Sequence, residues 1–375
     1  MLQQIPQITE MNQPVRKVRS IRPLLFSGDH LFCSRGVKIV STRDLGATFA
    51  NECTLQVPRS LRLMSMSATA RRLARTDTFR MRELSGGNRV YTFRKGVYTQ
   101  KAGSQTAVCT MRITRGSRPV SLENNACGEV VFGEYFNNPS REAVHIYGSR
   151  DGGCNWQIAH TFEPGDIRHV HGITYDRWDD CYWICTGDYE NENQLLRASC
   201  DFSNVRVVRK GGQHNRFFSL QVFEKTIVAA TDTPSETNYV LVIDKQTGEA
   251  RRALQIENSA FFTCVVNDRV FVSTTAERSE TNDSDQSHIW VSHKSLMKWN
   301  RIMSRPTDLL DRCGRLPGLR NGFFQHPHYV FPDGINPGQH LVSYGLGLKG
   351  QNDTLMVHDV QQTIQEESVD VAKAA

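Results

Sequence analysis

Short apolar runs, alternating with polar positions and closed by Gly, Pro, Asn or Asp, recur along almost the whole chain. Gly36–Ser41, Arg89–Phe93, Val130–Tyr135, Val170–Tyr175, Tyr182–Thr186, Phe217–Phe223, Ile227–Thr231, Tyr239–Ile243, Val270–Thr275 and His288–Ser292 all have the length and period of half-buried strands. Helical spacing is rare. The exception is Met64–Arg82, which reads as a helix or a long basic loop. The first twenty residues are predicted to form an arm or a closing strand, and the polar stretch from Gln361 to fray. The pattern is all-β.

Internal repetition narrows this further. Ser149-Arg150-Asp151-Gly152-Gly153-Cys154-Asn155-Trp156 has the frame S-x-D-x-G-x-x-W. Thr42 to Phe49 matches it with Thr for Ser and Phe for Trp, Ser199 to Ser203 keeps Ser and Asp, Ser292 to Trp299 keeps the ends, and Asp244 to Gly248 is a plain turn in the corresponding place. The later steps are about 45 to 50 residues, close to the length of a four-stranded propeller blade. A β-propeller of four-stranded antiparallel blades follows, with seven blades expected and six as the alternative, in one domain over residues 21–360. In such a turn the Asp and Ser can bond backbone N–H groups, the Gly allows a tight reversal, and the aromatic packs between sheets.

Composition adds a partner class. The formal net charge is +6, and arginines crowd the first third at Arg71, Arg72, Arg75, Arg80, Arg82, Arg89 and Arg94. A basic face suits an acidic polymer. No zinc finger, basic helix or RNP-type motif accompanies it, so an acidic glycan is expected rather than nucleic acid. The ten cysteines include no CxxC pair and read as reduced, mostly buried small hydrophobes. No apolar leader segment and no membrane-length apolar run occurs, which gives a cytoplasmic expectation and no membrane span; the oligomeric state is not legible.

Candidate chemistry lies at strand ends. In a blade the first strand lines the central channel, and one face of the disc carries the entry to that strand and the exit from the second. With Val170–Tyr175 and Phe217–Phe223 as first strands, Arg168, His169 and His171 stand at one entry, and Gln213, His214, Asn215 and Arg216 at the next. Glu134, Tyr135 and Arg141 follow a second strand, as do Asp188, Tyr189, Glu190 and Glu192, then Asp232, Glu236 and Asn238, with Glu277 in the equivalent later place and Asn321 to Gln325 entering a later blade. Glu134, Tyr135, His169, His171 and Asp188 are the catalytic candidates. Arg141, Arg168, Gln213, Asn215, Arg216, Asp232 and Glu277 are the substrate-binding candidates. Glu134 and Asp188 could form the carboxylate pair of a glycoside hydrolase. In a polysaccharide lyase the arginines would neutralise a uronate carboxylate, and His169, His171 or Tyr135 would take the adjacent proton. No cofactor is expected; a divalent metal on His169, His171 and Gln213 is the alternative.

The S-x-D-x-G-x-x-W frame, the repeat length and the span from Glu134 to Arg216 resemble the sialidase-like (BNR, or Asp-box, repeat) β-propeller superfamily. The runs Gly133-Glu134-Tyr135, Ser149 to Trp156, Ile167 to Gly172, Thr186-Gly187-Asp188 and Gly212 to Arg216 are similar to those of uncharacterised glycosidase-like proteins of polysaccharide gene clusters. The resemblance implies a propeller with a carbohydrate-related role. Sialidases also need an arginine triad and a Tyr/Glu nucleophile pair. Ile21-Arg22-Pro23 matches their Arg-Ile-Pro motif only in part, and neighbours on a strand such as Glu134 and Tyr135 point oppositely. The expected function is therefore a glycosidase or lyase acting on an acidic poly- or oligosaccharide. The alternative is a non-catalytic glycan-binding or accessory protein of polysaccharide biosynthesis, using Tyr135, Tyr189 and Phe217 as stacking rings.

Overall fold

The structure is a computed structural model and describes residues 13–282, 284–313 and 325–361. It is all-β, built from antiparallel meanders of four strands. Glu123–Asn124, Val130–Gly133, Val144–Ser149 and Gln157–Phe162 form one sheet. His169–Asp176, Cys181–Gly187, Gln194–Ser199 and Val205–Lys210 form the next. The meanders from Phe217–Val222 to Ala250–Ile256 and from Ala260–Val266 to Trp299–Pro306 follow.

A further sheet takes His328–Val330, His340–Leu346 and Thr354–Asp359 from one end of the chain and Arg16–Arg19 from the other, with Arg16 opposite Val357 and Arg19 opposite Thr354. The closing-strand expectation thus falls on Arg16–Arg19. The remaining sheet has nine strands. It consists of the meanders Arg22–Ser27 to Ala50–Leu55 and Thr78–Glu83 to Thr106–Arg112, joined at their last strands by the parallel pairs Thr54–Thr106 and Leu55–Ala107, with Asp333–Gly334 added beside Leu25 and Phe26.

The first strands face a shared cavity of about 570 Å³, whose wall includes Leu25, Arg80, Glu123, Ile173, Leu220 and Cys264. Sheets arranged around such a channel, and closed by pairing the two chain ends, make a β-propeller.

Burial between neighbouring sheets explains the strand sequences. Along Cys181–Gly187, Tyr182 and Ile184 pack with Val131, Val144 and Ile146 of the preceding sheet. Cys181, Trp183 and Cys185 pack with Ile227, Ala229 and Leu241 of the following one. Alternate residues of a strand point to opposite faces, and both faces are covered, so the run is apolar throughout. Each such side chain contributes about 1.5–3 kcal/mol of burial.

A close inter-sheet approach falls at Gly133, where a Cβ would lie 2.5 Å from Cβ and Cγ1 of Val170. Gly133→Ala is expected to lose about 1–3 kcal/mol by overpacking, and Val170→Ala in the same chain to recover part of it. Urea denaturation of the single and double variants checks this; equal midpoints for wild type and Gly133→Ala would remove the contact from the argument.

The repeated turns share one bonding scheme between third and fourth strands. Gly153 N–H donates to Ser149 Oγ (2.9 Å), and Cys154 and Asn155 N–H donate to Asp151 Oδ1 (3.1 and 2.9 Å). Trp156 packs edge-on to Phe132. Gly46 and Thr48 repeat these bonds to Thr42 and Asp44, and Asn204 and Ser203 to Ser199 and Asp201.

Met64–Arg82 is helical only in part. Helices span Arg59–Met64 and Ala68–Ala74, and Thr78–Glu83 is the first strand of a meander, where alternation of Phe79 and Met81 with arginines outweighs the basic composition. Among the described side chains nine cysteines are free, and of these Cys33, Cys53, Cys181 and Cys185 are buried, fewer than expected. Among the described residues, no helix is long and apolar enough to cross a membrane.

Candidate functional site

His169 opens the strand His169–Asp176, and the register slips between Val170 and Gly172, leaving His171 as the extra residue of a bulge. Bulges re-aim side chains. Here both imidazoles come to one point. His169 Nδ1 donates to Phe136 O (2.9 Å) and His171 Nδ1 to Phe217 O (3.2 Å). A carbonyl can only accept, so each Nδ1 carries its hydrogen and the two Nε2 atoms turn inward, 3.0 Å apart.

Asp188, just past the strand Cys181–Gly187, brings Oδ1 to 3.0 Å from His171 Nε2 and 3.5 Å from His169 Nε2. Arg168 Nη1 lies 3.1 Å from Asp188 Oδ2, and Arg216 Nη2 reaches both Asp188 Oδ1 (3.2 Å) and Asp232 Oδ2 (3.3 Å). The Gln213 amide donates to the Asp188 carbonyl (3.2 Å), while its Oε1 is buried without a donor. The Tyr135 ring lies against His169 with centroids 4.2 Å apart.

The electrostatics push these groups in different directions. Burial raises the Asp188 pKa, but the close imidazoles and the Arg216 charge outweigh it and hold the carboxyl well below the usual range. Burial lowers the His171 pKa against the pull of Asp188, so its neutral form is favoured. Burial raises Asp232, opposed by Arg216 and reinforced by Glu277. Tyr135 is pushed up to about 12, first by burial and then by the charges of Asp188 and Asp232.

Tyr135, Arg168, His169, His171, Asp188, Gln213, Arg216 and Asp232 therefore form one constellation, with Glu277 near Asp232 and Arg216 and 3.4 Å from His326. The other candidates stand elsewhere. Glu134 is gripped by the Arg115 guanidinium through Nε (3.0 Å) and Nη2 and accepts the His145 N–H (2.9 Å); none of its bonds reaches Asp188 or the histidines. Arg141 is tied to Glu192 (2.5 Å) and to the Asn138 and Pro139 carbonyls. Asn215 braces its own turn through Gly211 O and Arg209.

Asn238 bonds Thr231 and Thr233, Glu236 faces His214, and Glu190 opens a short 3-10 turn. Phe217 is fully buried, because its side chain joins Trp183 and Leu241 in the core; the ring that faces the cavity is Phe218. Residues 321–324 lie outside the described residues, and the Gln325 carbonyl accepts from Arg72 (3.5 Å).

Sequence reasoning missed a second group at the same strand entries. Arg22 is 2 % exposed with Nε and Nη2 unbonded, and Arg118 is 7 % exposed with Nη1 unbonded. With Arg80 they surround the Phe79 ring at 5.2, 4.1 and 5.1 Å. The carboxylates nearby are bonded to other arginines: Asp77 and Asp353 to Arg71, Asp333 to Arg80 and Arg82. Burial, then Arg22 and Arg75, press the Arg118 pKa down to about 9. The signal was present in Ile21-Arg22-Pro23 and in Arg118-Pro119 ahead of Val120, both at first-strand entries.

An aromatic floor joins the two groups. Phe218 lies 6.2 Å from both His171 and Phe262, and Phe262 lies 6.4 Å from Phe79 and 5.3 Å from His328.

No protein-family model matches the sequence, and no curated protein is similar to it. Solved structures share the fold. A chain of a mitotic checkpoint complex aligns with a TM-score of 0.58 at 12% identity, covering 96% of this chain and 98% of that one. An ancestral GH74 enzyme aligns with a TM-score of 0.54 at 8% identity, covering 92% of this chain and 45% of that one. At these identities the likeness is one of fold, and it places the chain among β-propeller proteins.

Proposed function

We propose that this chain is a carbohydrate-active β-propeller whose channel mouth takes an acidic glycan. The observation that carries the reading is the pair of buried guanidiniums, Arg22 and Arg118, with N–H groups left unbonded beside the aromatic floor. Asp77 shares their charge, yet these N–H groups have no acceptor; a buried guanidinium N–H left unbonded is costly, and a carboxylate on a stacked sugar ring would satisfy it. Across the floor, the two imidazole lone pairs and the Asp188 carboxylate make an electron-rich centre that can take a proton or hold a cation acting on the bound acid.

Elimination next to a uronate carboxylate is favoured over hydrolysis by a Glu134–Asp188 pair, because Glu134 is already bonded by Arg115 and His145. The Phe79, Phe218 and Phe262 floor also suits the second reading, a non-catalytic glycan binder. We count seven blades, taking the nine-stranded sheet as two, in one domain over residues 21–360 closed by Arg16–Arg19. The kinship with sialidase-like Asp-box propellers is part of the same proposal, supported by the shared turn bonds.

The test is a panel of uronate-rich, sialylated and neutral polysaccharides, read by new reducing ends, by unsaturated-uronate absorbance and by binding. An acidic ligand is expected to be turned over. Arg118→Met and Arg22→Met are each expected to weaken its binding about 10- to 100-fold, the worth of a charge-assisted bond. Binding without turnover would support the second reading, and a preference for neutral glycans, or no binding at all, would reject both.

A further inference from the structure

We propose that His169, His171 and Asp188 hold a divalent first-row metal ion. Three acceptor atoms converge there: the two Nε2 atoms 3.0 Å apart, and Asp188 Oδ1 at 3.0 and 3.5 Å from them. Both Nδ1 hydrogens are committed to the Phe136 and Phe217 carbonyls, so neither neutral imidazole has a hydrogen to place between the rings. Lone pairs facing lone pairs in a buried site repel unless something positive sits among them. An ion about 2.0–2.2 Å from each atom, with angles of about 90–110° at the ion, puts them roughly 2.8–3.6 Å apart, and separations of 3.0, 3.0 and 3.5 Å fall in that range.

A backbone carbonyl behind each histidine is also the arrangement that orients metal-binding imidazoles. Arg168 occupies the other carboxylate oxygen, Asp188 Oδ2, and Arg216 approaches Oδ1 at 3.2 Å, so the carboxylate is fixed while the histidine nitrogens have no such cation. Two imidazoles and one carboxylate leave further positions on the ion for a ligand and suit Zn, Mn or Fe. Gln213, the third donor of the sequence reading, gives way to Asp188.

The only comparable described cluster makes a useful contrast. Asp176, Asp179 and Cys181 also bring three ligand atoms together. There Lys245 Nζ stands 2.6 Å from Asp176 and 3.1 Å from Asp179 and supplies the positive charge itself. Among the described residues, no lysine forms an ion pair at the histidine pair or Asp188.

The ion is independent of whether any glycan is turned over, and its test uses none. Full-length protein is stripped with a chelator, dialysed, and titrated with Zn²⁺ and with Mn²⁺ by calorimetry, with bound metal counted by mass spectrometry. One ion per chain and a rise in Tm on metal addition are expected. Asp188→Asn and His169→Gln should weaken binding at least 100-fold and lose the Tm response, while Cys181→Ser keeps both; circular dichroism confirms that each variant is folded. Wild type binding no better than Asp188→Asn would overturn the assignment. So would binding that is lost in Cys181→Ser, or an imidazole ¹⁵N spectrum that shows one histidine doubly protonated and unchanged by metal.

Discussion

Asp188→Asn is expected to lose roughly 10²–10⁴-fold in kcat/KM on the acidic glycan, the range for removing a group that works directly on proton or charge transfer. The substitution is nearly isosteric, but it removes the one negative charge that both imidazoles and both arginines face. Arg216 keeps Asp232 as a partner, so the fold should survive. The loss should appear mainly in kcat, because the unbonded guanidiniums across the floor still hold the carboxylate. Glu134→Gln is the informative contrast. Its carboxylate serves Arg115 and the His145 N–H, so the change should lower stability and leave kcat within a few-fold of wild type. A Glu134→Gln chain of normal stability, with kcat reduced as far as in Asp188→Asn, would restore the Glu134–Asp188 hydrolase pair.

The propeller was legible because its physics is periodic. Each blade needs apolar residues on both faces of its inner strands and a tight third-to-fourth turn, and Ser149 to Trp156, Thr42 to Thr48 and Ser199 to Asn204 spell that turn in hydrogen-bonding residues. The ring of His169, His171, Asp188 and Arg216 was legible for a related reason: strand ends place side chains by register. What could not be read is which polar side chains are already satisfied. Glu134 and Asp188 look alike as carboxylates after a strand, but Arg115 lies nineteen positions before Glu134 and nothing local announces their pairing. Arg22 and Arg118 failed the other way. They sit among many arginines whose partners come from distant segments, such as Asp333 and Asp353, and only the finished fold tells which guanidinium N–H groups are left unbonded. Thr78–Glu83 was obscured by its arginines, which a strand accommodates when alternate positions face a polar cavity.

The same distinction gives the largest stability effect. Asp176 is fully buried at the far end of the strand that His169 opens, and it accepts from Lys245 Nζ (2.6 Å), Trp183 Nε1 (3.0 Å) and the Trp178 N–H (3.0 Å). Lys245 belongs to the next sheet, in the turn after Asn238–Asp244, and it also donates to Glu224 O (3.0 Å), so the pair fastens two sheets together. Lys245→Met would strand the carboxylate away from water with only neutral donors. The expected cost is about 3–5 kcal/mol, the range for breaking a buried ion pair from one side. Adding Asp176→Asn removes the stranded charge, and the double variant should recover most of the loss, since a buried pair replaced as a unit is close to neutral. Across a strand of this length the site lies roughly 25 Å away, so turnover by the folded fraction should match wild type. Urea denaturation of the two single variants and the double measures the coupling. A Lys245→Met cost below about 1 kcal/mol, or a double variant no more stable than Lys245→Met, would show that the clamp between these sheets lies elsewhere.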